Sequence, residues 1–237
     1  MEKAFMASDQ TVFEVDLAAA SDIDITRLVR KLGMYKPPLS LQTELSDDGL
    51  ILLRNHLEIK EISFDSVKQM RPWFLSLTLA LQELESLEYD AELGVDQYFQ
   101  RKARALKKPI LELESIESQF ELLASDSNRV QELALRSSIE ESSQAESQIS
   151  HLIEAWRSGD ADGMWRAAIS ESKYPELDVQ IEKLIDGRNV KMVEKITEYL
   201  KMKETTLIVI GALHMGGEQG ILNLLSANYA IQQMGPE

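Results

Sequence analysis

The stretch TTLIVIGALHMGGEQG, residues 205–220, is the part of the sequence that most strongly indicates a fold class. Its apolar run Thr205–Gly211 predicts a buried β-strand, and the glycines after it predict a loop with tight turns. The pattern from about Gln219 to Ala227 predicts a helix, and YAIQQM (229–234) predicts a last strand. A strand, loop, helix and strand in this order indicate a βαβ unit and therefore an α/β fold.

The N-terminal residues predict a further strand. Residues 2–9 have the pattern of the last turns of a helix, and TVFEVDL (11–17) alternates two sets of side chains, with Phe13, Val15 and Leu17 on one face and Val12, Glu14 and Asp16 on the other. Helices of α/β folds cover a sheet that has already begun. We therefore expect a strand upstream of residue 1 and interpret Met1 as an internal start.

The middle of the chain is predicted to be mostly helical. A helix-like region after Leu17 runs through Leu32 and ends before Pro37-Pro38, because proline cannot continue a helix. The other predicted elements are a strand or edge ribbon at GLILLR (49–54), helical spacing over 64–87 around Pro72, an amphipathic helix over 95–106, a short strand over 109–113 and an almost wholly helical insertion from 115 to about 200. Residues 1–237 are thus predicted to form one mixed α/β domain, a central sheet flanked by helices.

The composition excludes several classes of protein and of site. A formal net charge of −15 repels phosphate backbones and anionic lipids, so we expect neither nucleic acid nor an anionic membrane as partner. With no cysteine, any metal must be held by His, Asp or Glu. The most apolar stretch, Phe74–Leu81, is far shorter than the roughly 20 residues of a membrane span and predicts a buried helix in a soluble protein. Met1 is followed by neither the basic region nor the apolar core of a signal peptide.

His214 is the first candidate functional residue. It follows an apolar strand, and ligands of open α/β sheets bind beyond the carboxyl ends of the strands. The glycine-rich run matches neither the phosphate-binding loop nor GxGxxG, which disfavours nucleotide binding. The alternative is a loop histidine that caps the next helix or hydrogen-bonds a neighbour. His56 and His151 are expected to be solvated.

Glu14 and Arg188 are the other two candidate functional residues, because each is a charged residue within an apolar pattern. A carboxylate among the apolar side chains of a strand must lie at the strand end, be paired or bind a metal, and a structural salt bridge is as good an interpretation as a functional one. Arg188 lies three residues after Ile185 and four before Met192 on an apolar stripe, so it points inward if the helix is continuous. Gly187 could instead break the helix and turn the guanidinium to solvent. An inward guanidinium would clamp an anion or a carboxylate.

Together with their neighbours these residues resemble the TraB/GumN family, which is related to the Tiki proteins. The resemblance covers nearly the whole chain, and it rests on the order and spacing of several motifs, which are VFEVD, ELGVDQYFQRKA (92–103), KPILELESIESQ (108–119), EAWRSGD (154–160), the GRN triplet (187–189) and IGALHMGGEQGILNLL.

The resemblance implies a mixed α/β fold of the Tiki/EreA/ChaN kind, in which two Gly-x-x-His motifs and a strand carboxylate meet at a site for a divalent metal. Here Gly211-Ala212-Leu213-His214 corresponds to the second motif and Glu14 to the carboxylate. The first motif should precede residue 2 and is expected upstream of this sequence. His214 and Glu14 are therefore the expected metal ligands, and with Arg188 the expected catalytic residues.

Four further residues are expected to orient this site or to stabilise the fold, namely Asp96, Glu114, Gln119 and Gly211. The resemblance implies a peptidase-like hydrolase dependent on Zn, Mn or Co, with metal binding weak or absent in a chain that lacks the first motif. The alternatives are a protein that sequesters a peptide or small ligand, and an interaction domain that docks through its acidic helices. We also expect a homodimer through an exposed sheet edge. The compartment is periplasm or cell envelope if an export signal precedes residue 1, and cytoplasm otherwise.

Overall fold

The sheet of this protein is built from three short parallel strands. The computed structural model describes residues 1–16, 19, 21–169 and 173–235. In this part of the chain the strands are β1 (Gln10–Phe13), β2 (Ile110–Glu112) and β3 (Thr206–Val209), in the order β2-β1-β3. Val12 lies opposite Leu111 on one side and Ile208 on the other. The predicted mixed α/β class is confirmed.

Helices form most of the rest of the described chain. They are α1 (Glu2–Ala7), α2 (Asp22–Leu28), α3 (Leu41–Glu44), α4 (Asp47–Ile59), α5 (Phe64–Val67), α6 (Pro72–Ser86), α7 (Val95–Ala105), α8 (Ile116–Ala124), α9 (Asn128–Glu141), α10 (Ala145–Ser158), α11 (Ala161–Ala168), α12 (Glu176–Ile181), α13 (Gly187–Leu200) and α14 (Ile221–Ser226). Two π-helical turns, Val29–Gly33 and Glu182–Asp186, extend α2 and α12. The predicted helical insertion corresponds to α8 through α13, between β2 and β3.

The central strand β1 is buried on both faces. Val12 packs on one side against Met192 and Ile196 of α13, and Phe13 packs on the other side against Phe5 and Phe99 of α1 and α7. This alternation of side chains was predicted from the sequence, although the strand ends at Phe13 and Leu17 lies outside the described residues. Helices thus pack against both faces of the sheet.

A second core holds the α3–α6 region against the helical insertion. Its buried members include Leu53 and Leu57 of α4, Leu75 of α6, and Leu135 and Ile139 of α9. Because α9 belongs to the insertion, this core ties the insertion to the helices that follow the first strand.

Three predicted elements are corrected by the structure. GLILLR lies inside α4, where Ser46 accepts a hydrogen bond from the Gly49 backbone and acidic residues occupy the first turn, both of which favour a helix. No strand pairing involves YAIQQM (229–234) among the described residues, and its Met234 is exposed. The segment Phe74–Leu81 is helical, but only one face of it is buried.

Continuous helix leads into Arg188, because the π-helical turn Glu182–Asp186 runs directly into α13. The interpretation in which Gly187 breaks the helix is therefore wrong. In the described part of the chain, no helix combines the length and the apolar character that crossing a membrane requires.

Candidate functional site

Two polar side chains, those of Glu14 and His214, meet beyond the carboxyl ends of β1 and β3. Glu14 directly follows β1, and Gly211 lies two residues after the end of β3. A 3-10 turn, Ala212–His214, then brings His214 back towards Glu14. Because the strands are parallel, their carboxyl ends lie at one edge of the sheet, where ligands of α/β proteins bind.

Glu14 and His214 form the centre of the site. The His214 Nε2 atom lies 3.7 Å from Glu14 Oε1, and the side chains are 5% and 25% exposed. The predicted proximity of these two residues is confirmed. Of the other histidines, His151 is exposed as expected, whereas His56 is half-buried because it follows buried Leu53 by three residues on α4.

Asn189 holds the other side of the His214 ring and was not singled out from the sequence. Its Oδ1 atom lies 2.6 Å from His214 Nδ1, and its Nδ2 atom donates to the Gln219 carbonyl at 2.8 Å. Asn189 is fully buried. A signal was present, because Asn189 precedes Met192 by three residues and Ile196 by seven on the buried face of α13.

Arg188 points inward, as its helical phase predicts, and is 17% exposed. Its Nε donates to Glu114 Oε2 at 3.0 Å, and its Nη2 donates to Glu114 Oε2 at 2.7 Å and to Glu14 Oε1. The Nη1 atom has a long contact, 3.4 Å, with the Leu184 carbonyl. The guanidinium therefore bridges two carboxylates and keeps Nη1 as its least engaged donor.

Further donors converge on Glu14. The Gln119 amide donates to Glu14 Oε1 at 3.2 Å and to Glu114 Oε2 at 3.1 Å, and the Gly211 backbone N–H donates to Glu14 Oε2 at 3.0 Å. Burial raises the pKa of Glu14, but His214, the charge of Arg188 and the Gly211 N–H outweigh it and lower the pKa to about 2. Glu14 is therefore an ionised carboxylate at neutral pH.

An apolar cleft of about 570 Å³ opens beside Glu14. Its walls include both faces of β3 and the residues Phe13, Val95, Phe99, Trp156 and Met215. Asp96, in the first turn of α7, lines the same cleft and is exposed. Asp96 thus lies near the site, while Glu114, Gln119 and Gly211 contact Glu14 or its partner Arg188 directly.

Asp186 is a second residue that the sequence did not single out. It ends the π-helical turn before α13, and its Oδ1 atom is buried without a hydrogen-bond partner among the described residues. Burial and the charge of Glu182 raise the pKa of Asp186, while the charge of His214 opposes this shift. The pattern offered no signal for it, because one acid among many in an acidic chain is indistinguishable by type.

The chemistry of Glu14 and His214 suits a divalent metal, but their number does not complete a site. Two ligand atoms at about 2.1 Å from one ion are at most about 4.2 Å apart, so the 3.7 Å separation of Nε2 and Oε1 is compatible with a shared ion. Across residues 1–16, 19, 21–169 and 173–235, no group of three or more His, Asp or Glu side chains could hold a metal. A site with three protein ligands would need one from outside these residues.

The fold and the site define an α/β protein with a paired imidazole and carboxylate at the carboxyl edge of a parallel sheet. The model of the TraB/PrgY/gumN family matches residues 1–233. The chain belongs to this family, which confirms the resemblance seen in the sequence. No curated protein and no solved structure matches the chain.

Proposed function

We propose that this chain is a metal-dependent hydrolase of the peptidase-like kind, with His214 and Glu14 as the residues that hold the metal. The observation that carries the proposal is the 3.7 Å approach of a buried imidazole nitrogen to an ionised carboxylate at the edge of the cleft. These are ligand types that suit Zn, Mn and Co. The chemistry that such an ion supplies is polarisation of a carbonyl and activation of water.

The other residues of the site act on Glu14 and on the substrate. His214, Arg188 and the Gly211 N–H keep Glu14 charged. Arg188, Gln119 and the Gly211 N–H fix the direction of its two oxygens. We propose that Arg188 Nη1, whose contact with the Leu184 carbonyl is long, is the donor left for a substrate carboxylate or a developing oxyanion. Glu114 holds the guanidinium through Nε and Nη2 and so sets the direction of Nη1.

The cleft favours a peptide or a peptide-like substrate. Four consecutive residues, Leu207 to Ile210, line it, and the outer edge of β3 has no paired strand among the described residues. An extended peptide can add to such an edge through its main chain while apolar side chains enter the cleft. At its carboxyl end, β3 leads to Gly211, whose backbone N–H donates to Glu14.

The first test of this proposal is a calorimetric titration of Zn²⁺, Mn²⁺ and Co²⁺ into the chain. We expect weak binding, because two protein ligands leave an ion largely hydrated, and we expect His214→Ala to lower the affinity at least 10-fold, since loss of a direct ligand costs more than loss of an outer partner. The matched control is His151→Ala, which removes an exposed histidine that is not among the residues lining the cleft. Equal affinities of His214→Ala and wild type would contradict the ligand assignment.

A second candidate function is sequestration of a peptide without cleavage. The hydrogen bonds that Arg188 already makes to two carboxylates favour it. Two of its nitrogens are already bound to carboxylates, which weakens it as an oxyanion donor. Incubation of the metal-loaded chain with a mixture of synthetic apolar peptides separates the two candidates by mass spectrometry. New peptide termini absent with His214→Ala indicate hydrolysis, and retained intact peptides indicate sequestration.

A further inference from the structure

We infer that Asn189 is the positioning residue that fixes the tautomer of His214 by accepting a hydrogen bond from Nδ1, so that Nε2 is the nitrogen that faces Glu14. This inference rests on the proposed function only for its consequence, metal binding; the tautomer itself follows from the contacts. Asn189 is the last residue of the GRN triplet, but neither the resemblance nor the family match assigns it a function, and its side chain is fully buried against the loop 211–220.

The orientation of the Asn189 amide follows from what each neighbour can do. The Gln219 carbonyl can only accept a hydrogen bond, so the amide nitrogen must face it, as the 2.8 Å contact shows. The amide oxygen therefore faces His214 Nδ1 at 2.6 Å. Because an amide oxygen can only accept, Nδ1 must carry the proton.

A neutral His214 with a proton on Nδ1 has none on Nε2. Nε2 then faces Glu14 Oε1 across 3.7 Å, on the opposite side of the ring from the contact with Asn189. These are the two atoms between which the proposed metal ion would lie. In a catalytic dyad the carboxylate usually orients the histidine through Nδ1. Here Asn189 contacts Nδ1, and the carboxylate of Glu14 lies beside Nε2.

The direct test is the long-range ¹H–¹⁵N spectrum of the full chain labelled with ¹⁵N-histidine, recorded without metal and well above the ordinary histidine pKa of about 6.5. The chain has 3 histidines, so the His214 signals can be assigned by comparison with His214→Ala. We expect the Nδ1–H tautomer for His214. An Nε2–H tautomer, or an imidazolium that persists at this pH, would overturn the inference.

Two variants of Asn189 test whether this residue sets the tautomer. We expect Asn189→Leu to move the proton to Nε2, where it can be donated to Glu14, and to lower Zn²⁺ affinity by about 10- to 100-fold. Asn189→Asp keeps an acceptor opposite Nδ1 and should preserve the Nδ1–H tautomer even if the fold is weakened. An unchanged tautomer in a folded Asn189→Leu protein, or loss of it in Asn189→Asp, would overturn the inference.

Asn223→Leu is the matched control, because Asn223 also donates to a carbonyl of this region, that of Glu218 at 2.7 Å, but has no contact with His214 among its hydrogen bonds. We expect Asn223→Leu to leave the tautomer of His214 unchanged. A change in this variant as large as that in Asn189→Leu would show that the tautomer responds to general loosening of the loop 211–220. That result would contradict the inference. If wild type shows the Nδ1–H tautomer but binds metal no more tightly than His214→Ala does, the ligand assignment of the proposed function fails while the role of Asn189 stands.

Discussion

At the scale of single residues, Glu14 shows how a buried carboxylate is kept charged. Burial alone would raise its pKa, yet His214, Arg188 and the Gly211 N–H bring the pKa from 4.5 to about 2. A group whose pKa is lowered on folding stabilises the native state above its unfolded pKa and loses this contribution as the pH falls through the folded value. Glu14 should therefore contribute to stability above about pH 4.5 and lose that contribution towards pH 2.

We expect Glu14→Gln to be less stable than wild type at neutral pH by on the order of 3 kcal/mol, with a difference that shrinks as the pH falls from 4.5 towards 2. Urea unfolding at a series of pH values measures this difference. Asp96→Asn is the control, since it alters an exposed carboxylate of the same cleft and should change stability by less than about 0.5 kcal/mol. A Glu14→Gln difference that stays constant with pH would contradict the assignment.

Among the residues of the site, the sequence predicted those that stand out by type. Glu14 and Arg188 are charges on apolar patterns, and His214 follows a buried strand, so ordinary rules of burial and topology brought them together. Asn189 could not be recognised in the same way, because a neutral amide on an apolar helix face has many uses. Its role depends on the 2.6 Å contact with His214, which only the packing of α13 against the loop 211–220 creates.

At the scale of elements, prediction succeeded where the length and the flanking residues of an apolar run fitted only a strand. The short runs at β1 and β3 are flanked by polar or glycine residues and were predicted as strands. GLILLR was ambiguous, because a short apolar run fits a strand and a buried helix segment equally well, and the cap at Ser46 decided for the helix. YAIQQM alternates like a strand but has no neighbouring strand to pair with in the described part of the chain.

The loop that carries His214 is held by its contact with α11. Gly217 N–H donates to Asp162 Oδ1 at 2.9 Å, and a Cβ atom on Gly216 would lie 2.1 Å from the Ala161 carbonyl oxygen. We expect Gly216→Ala to destabilise the protein by about 1–3 kcal/mol or more, because the backbone of α11 would have to move. Gly235→Ala is the control, since nothing lies within 4 Å of its Cβ position.

Thermal or urea unfolding measures both glycine variants, and the histidine spectrum reports whether His214 has moved. Equal stability of Gly216→Ala and Gly235→Ala would show that the loop and α11 are not held in this contact. A large loss of stability with an unchanged His214 signal would show instead that the loop keeps the site in place without α11.

At the scale of the whole molecule, the edge of β3 and the net charge of the chain have opposite effects on association between two copies. β3 pairs with β1 along one edge, and the structure shows no strand on the other edge among the described residues. An unpaired edge invites pairing with another chain. A net charge of −15 on each copy opposes this association at low salt. Because β3 residues also line the cleft, a peptide that adds to the outer edge of β3, as proposed, would compete with a second copy.

We therefore predict a weak homodimer through β3 whose population rises with protein concentration and with salt. Sedimentation measurements at several concentrations and two ionic strengths determine the population, and amide hydrogen exchange locates the interface. The β3 amides that face away from β1 should become protected as the dimer forms. The amides of β1 serve as the control, since this strand is paired along both edges and should be protected throughout. A monomer under all these conditions, or a dimer in which the outer β3 amides still exchange freely, would refute pairing through this edge. An apolar synthetic peptide that binds the cleft should reduce the dimer population, because both partners need the same backbone groups of β3.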